Sequence, residues 1–292
     1  MIRKLPLLFG LLTGAAVAAQ PMRWPDLLDR PQPRPDAAIA YGADPLQHVD
    51  LWRPVGQGPF PVVLMVHGGC WQTGIAKADL MNWIADDLMK RGIAVWNIEY
   101  RGIDRPGGGY PGTFLDAAAA ADAMRAAAAK YKLDLRHIVG VGHSAGGHLI
   151  LWLAARHGIA PNSPLHSDNP LPIGHAISIG GLPDLEAAAT APGDTCGPEA
   201  VPGLVGKPSA AHPDVYADTS PARLPAPGIA VTLVNTTLDP IAPPAFAEAY
   251  AARMGGAPKR IVIADEGHAE LVAPESKAWA AIVREIEAAI RK

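Results

Sequence analysis

Ser144 stands between two glycines in Gly142-His143-Ser144-Ala145-Gly146, residue types and spacing suited to nucleophilic attack on an acyl carbon. A serine hydroxyl attacks only when a base takes its proton and a carboxylate orients that base. Among ten histidines, His268 lies where a base belongs, in Asp265-Glu266-Gly267-His268-Ala269 after the last apolar run. His67 opens a glycine loop, His148 lies downstream of the serine, and His143 is expected to turn its side chain away from the reacting centre. Asp239, in Thr237-Leu238-Asp239-Pro240, precedes the histidine and gives the chain order Ser, Asp, His; Asp184 and Asp218 are its rivals. Backbone N–H groups must hold the developing oxyanion. Ala145 N–H is one expected donor, and the loop His67-Gly68-Gly69-Cys70-Trp71 is expected to give the others. Trp71 reads as a pocket wall or as a core tryptophan.

These residues need a scaffold that brings loops together. His137 to Val141 predicts a buried strand before Ser144, and Gly147 to Arg156 a helix after it, so the serine sits on a strand-to-helix turn. Glycines beside such a turn remove Cβ atoms that would collide, and the helix N-terminus aims free N–H groups and positive partial charge at the site. Further strands are predicted at Gln47–Trp52 (exposed or edge), Pro61–Val66, Ile93–Ile98, Ala176–Ile179, Ile229–Asn235 and Arg260–Ala264. Helices are predicted at Asp79–Arg91, Phe114–Tyr131, Pro244–Met254 and Glu275–Ile290. The alternation implies a mainly parallel sheet covered on both faces. Residues 183–227 break the pattern with prolines, glycines and short helices, as a cap or pocket wall would.

With 292 residues, 49% hydrophobic, the chain is long enough for one α/β domain over residues 37–292, preceded by a proline-rich extended arm at 20–36. A formal net charge of −3 gives no basic footprint for nucleic acid. Arg3 and Lys4, an apolar stretch from Leu5 to Val17, and small residues at Ala16, Ala18 and Ala19 follow the plan of a secretory signal peptide over residues 1–19. The stretch falls short of the ~20 residues that span a bilayer, so no stable membrane anchor is expected. In an exported, periplasmic setting Cys70 and Cys196 are either one disulfide or two buried thiols.

Together the motifs resemble the α/β-hydrolase superfamily, in its branch with an H-G-G-x-W loop that holds small esterases and kynurenine-formamidase-like enzymes. Residues 67–71, 99–101, 110–116, 142–147 and 267–268 carry the resemblance. It implies Ser144, Asp239 and His268 as triad, Gly69, Cys70 and Ala145 as oxyanion donors, and no cofactor or metal. The implied activity is hydrolysis of small carboxylic esters, with aryl formamide hydrolysis, exported peptidase action or a non-catalytic binding role as alternatives. Relatives carry H-G-x-x-D-x-x-V-P around the acid, whereas residues 235–243 here read Asn-Thr-Thr-Leu-Asp-Pro-Ile-Ala-Pro.

Overall fold

The computed structural model describes residues 20–190 and 196–292; the leader expected at 1–19 lies outside the described residues. Eight strands form one sheet: β1 (Ala37–Ala40), β2 (His48–Trp52), β3 (Phe60–Val66), β4 (Ala94–Ile98), β5 (Leu133–His143), β6 (His175–Ile179), β7 (Ala230–Thr236) and β8 (Lys259–Ile263). Their spatial order is β1-β2-β4-β3-β5-β6-β7-β8, with the β1–β2 and β2–β4 pairs antiparallel and the rest parallel. Val62 through Val66 and Ala94 through Ile98 are buried along their whole length, because helices cover both faces of the central strands. One face packs beneath the helices Gly112–Asp122 and Ala145–Ala155, with Trp96, Phe114 and Trp152 in its core. The other packs beneath Asn82–Lys90 and Lys277–Ile290, with Trp83, Ile84, Trp279 and Ile282.

Parallel register brings the functional loops to one rim. Val66 at the end of β3 pairs with Gly142 on β5, and His143 pairs with Ile179 at the end of β6. The loops after β3, β5, β7 and β8 therefore open on the same edge, as side chains beyond the carboxyl ends of parallel strands must.

Three elements differ from the sequence expectation. β2 is an interior strand, because Ala37–Ala40, three alanines and Ile39 with alternating exposure, add a further strand outside it. The alanine-rich helix is broken at Ala123 into Gly112–Asp122 and Met124–Tyr131. There Asp122 accepts from Arg156 and from the Leu171 N–H, which ties the break to neighbouring elements. The arm, expected to be extended, contains the short helix Trp24–Leu28, begun by Pro25 in its first turn and anchored by the fully buried Leu27. Residues 183–227 contain the short helices Leu185–Thr190 and Ala200–Val205 and a 3₁₀ turn at Pro221–Arg223. Among the described residues no helix is long and apolar enough to cross a membrane.

Candidate active site

Ser144 has φ 54° and ψ −119°, a conformation that a residue with a Cβ enters only when its surroundings impose it. Its surroundings do so through the two glycines. A Cβ on Gly142 would lie 2.0 Å from the Gly146 carbonyl oxygen, and one on Gly146 would lie 2.1 Å from the Val66 carbonyl oxygen. The chain can pass only if both positions lack a side chain. Ser144 N–H donates to the Ile179 carbonyl at 2.9 Å, fastening the turn to β6. Ala145 begins the helix Ala145–Ala155, so its N–H belongs to the first turn, where no intrahelical acceptor exists.

The loop after β3 approaches the serine directly. A Cβ on Gly68 would sit 2.9 Å from Ser144 Cβ, which makes glycine a condition of that contact. Gly69 (φ 100°), Cys70 (φ 51°) and Trp71 (φ 56°) follow in left-handed backbone. Such a run is held from outside. His67 stacks on Tyr100 at 4.3 Å, and its ring nitrogens face Gly68 O at 2.7 Å and Glu99 Oε1 at 3.0 Å. Burial pushes the Glu99 carboxyl up, but the adjacent His67 ring and N–H donors from Ala78 and Tyr100 outweigh it and hold Glu99 below its ordinary range. A disulfide joins Cys70 to Cys196, Cα atoms 5.4 Å apart, and ties this loop to the irregular segment.

Trp71 does not line the cavity beside Ser144. It is fully buried, and its indole N–H donates to His148 Nδ1 at 3.2 Å, while His148 Nε2–H donates to the Thr219 carbonyl at 2.8 Å. The bulk and single donor of the indole thus serve to fix the loop against the core. Burial brings the His148 pKa down to about 4, with the Thr219 hydrogen bond only partly opposing it.

His268 Nδ1 lies 2.6 Å from Asp239 Oδ2, both side chains almost wholly buried. The second oxygen of Asp239 accepts N–H bonds from Ile241 at 2.8 Å and Ala242 at 2.9 Å, so the carboxylate cannot turn away. Its two rivals are engaged elsewhere. Asp184 accepts from the Glu186 and Ala187 N–H groups at a helix start, and Asp218 binds Tyr110, Ser163 and His212. The His268 loop is pinned on both sides: Thr236 Oγ1–H donates to Gly267 O at 2.9 Å, and Gly267 N–H donates to Glu270 Oε2 at 3.0 Å. Gly180, at the end of β6, completes the seat, since a Cβ there would lie 3.0 Å from the His268 ring.

His143 departs from expectation. Instead of turning away, its ring lies 4.5 Å from that of His268, and it lines the same cavity. Its Nε2–H donates to the His268 carbonyl at 3.3 Å, and its Nδ1 is buried without a partner. Burial, joined by the charge His268 can carry, pushes the His143 pKa well below its ordinary value, so this ring stays neutral.

Ser144, His268, His143, Gly69 and Cys70 meet in one cavity of about 490 Å³, a size suited to a small organic substrate. Trp24, Leu28, Ile75, Leu80 and Ile241 supply most of its apolar wall. No local pattern marks these residues, because they come from three segments far apart in sequence: the arm helix, the connection after β3 and the connection after β7. Only the Trp24-Pro25 start signal in the arm hinted at structure there. Among the described residues no group of histidine, cysteine and carboxylate side chains could hold a metal ion.

The sequence model of the BD-FAE family matches residues 49–253, which is most of the chain. The chain belongs to the BD-FAE family. This is a family of α/β-hydrolase-like esterases, and the strand order and rim loops described above are those of the fold. A truncated carbohydrate esterase from gut microbiota superimposes with TM-score 0.71 at 22% identity, over 90% of this chain and 100% of that one. Esterase B from Lactobacillus rhamnosis gives 0.72 at 18% identity, over 89% of each chain. Esterase 2 of Thermogutta terrifontis, phosphonylated by sarin, gives 0.67 at 18% identity, over 92% and 95%. No functionally curated protein matches the sequence.

Proposed function

We propose that this chain hydrolyses small carboxylic esters through an acyl-enzyme on Ser144, with His268 as general base and acid and Asp239 as its orienting carboxylate. The observation that carries the reading is the buried His268–Asp239 bond of 2.6 Å, opening on the same cavity as a serine in strained elbow geometry. Asp239 holds the Nδ1 proton and leaves Nε2 to take the Ser144 proton as the hydroxyl attacks the ester carbon. Charge then gathers on the carbonyl oxygen, where the N–H groups of Gly69, Cys70 and Ala145 are the proposed donors. Collapse of the intermediate breaks the ester C–O bond, and His268 returns its proton to the leaving alcohol. Water then attacks the acyl carbon while His268 accepts its proton; the acyl–Oγ bond breaks, the acid leaves, and His268 returns the proton to Ser144 Oγ. That a neighbour of the same fold, named an esterase, is phosphonylated by sarin is in keeping with this reading.

Export is part of the proposal. The leader pattern at residues 1–19 and the Cys70–Cys196 disulfide support an oxidising, periplasmic location.

A fluorophosphonate probe is expected to label the wild-type protein, and p-nitrophenyl acetate to be turned over. Ser144→Ala is expected to lose both. Labelling or turnover that survives in a folded Ser144→Ala protein would sink the assignment, as would a wild type inert towards esters.

A further inference from the structure

Resting on that reading, we infer that the N-terminal arm is a wall of the substrate pocket and selects esters carrying a medium-sized apolar group. The arm lies outside residues 49–253 that match the family, yet Trp24, Leu28 and Gln32 line the cavity that holds Ser144 and His268. Trp24 sets its ring edge-on to both His143 and His268, each 6.1 Å away.

The arm is bound along its length. Met22 N–H donates to Glu270 Oε1 at 2.5 Å, the carboxylate whose other oxygen holds the Gly267 N–H beside His268. Arg30 pairs with Glu275 at 2.6 Å, and Gln32 donates to the Asp79 carbonyl at 3.0 Å. Trp83 and Asn82 donate to the carbonyls of Pro31 and Pro33. Leu27 is fully buried beneath it. Proline-rich sequence suits this role, because a chain with few conformations loses little entropy on being laid across a surface.

The rim indicates what the wall receives. Leu28 from the arm is 48% exposed and Ile75 from the loop after β3 is 61% exposed, and both line this one cavity. Large apolar side chains left in water at a cavity mouth gain free energy when an apolar group covers them. Among the described residues no arginine or lysine lines the cavity, whereas the carboxylate of Asp79 does, so the lining offers no cationic side chain to an anionic substrate group.

Two substrate series test the two sides of the carbonyl separately: p-nitrophenyl acetate against hexanoate for the acyl side, methyl against hexyl acetate for the alcohol side. Leu28→Ala is expected to lower the long-to-short ratio of kcat/KM about threefold or more in one series, and Leu28→Asp to lower it further. Val55→Ala, an exposed apolar residue outside the cavity, is expected to leave both ratios as in wild type. Smaller changes than that in both series for both Leu28 variants would overturn the inference while leaving Ser144-dependent esterase activity intact. Absence of Ser144-dependent turnover in the wild type would instead overturn the parent reading, and this one with it.

Discussion

Acid is expected to weaken this protein through His148, a histidine that takes no part in the proposed chemistry. Its ring is a neutral tautomer by construction: Nδ1 accepts the Trp71 indole N–H, and Nε2–H donates to Thr219 O. A second proton would set two N–H groups face to face and charge a fully buried ring. Its folded-state pKa is accordingly about 4, against an ordinary 6.5. Unfolded chains therefore bind a proton that folded ones refuse between those values. Stability contributed by neutral His148 is complete above pH 6.5 and is lost as pH falls towards 4. At 1.36 kcal/mol per pH unit, the loss reaches about 3 kcal/mol. Carboxylates titrate over part of the same window, so the comparison is with His148→Gln, whose amide can accept from Trp71 and donate to Thr219 without titrating. Urea denaturation of both proteins at several pH values from 7 to 4 gives the difference. Wild type is expected to lose about 3 kcal/mol more than His148→Gln across that range. Parallel curves would refute the reasoning, and with it the claim that His148 is held neutral to anchor the Trp71 loop.

Two further outcomes test the site and its tether. Asp239→Asn keeps the Ile241 and Ala242 N–H acceptor but favours the wrong His268 tautomer, and should lower kcat on p-nitrophenyl acetate by roughly 10³- to 10⁴-fold with KM little moved; a loss under tenfold would exclude the acid role. Removing the disulfide with Cys196→Ala frees a loop closed across 126 positions, and chain-entropy reasoning puts the loss at about 5 kcal/mol as an upper figure. A denaturation midpoint equal to wild type under oxidising conditions would show that the bond does not constrain the unfolded chain.

Local pattern carried much of the architecture. Continuous apolar runs such as Val62 to Val66 have no stable place except between two covered faces, so the central strands were legible from the sequence pattern, whereas the outer strand Ala37–Ala40 was not. The elbow was legible for the same reason, since Gly142 and Gly146 leave room for a turn that any side chain would block. Ser144, Asp239 and His268 could be chosen because strand ends in a parallel sheet share one rim. The altered sequence before Asp239 left its approach open, and the bonds from Ile241, Ala242 and His268 are what place it.

What the sequence by itself determined is therefore the alternation of strands and helices, the strained serine turn and the chain order of the candidate residues Ser144, Asp239 and His268, because each rests on neighbours along the chain. Tertiary structure alone decided the pairing of Cys70 with Cys196, the inward turn of His143, the burial of Trp71 on His148 and the seat of Trp24 beside His268. Each of these depends on distances between segments far apart in sequence, and no local pattern encodes a distance across the fold.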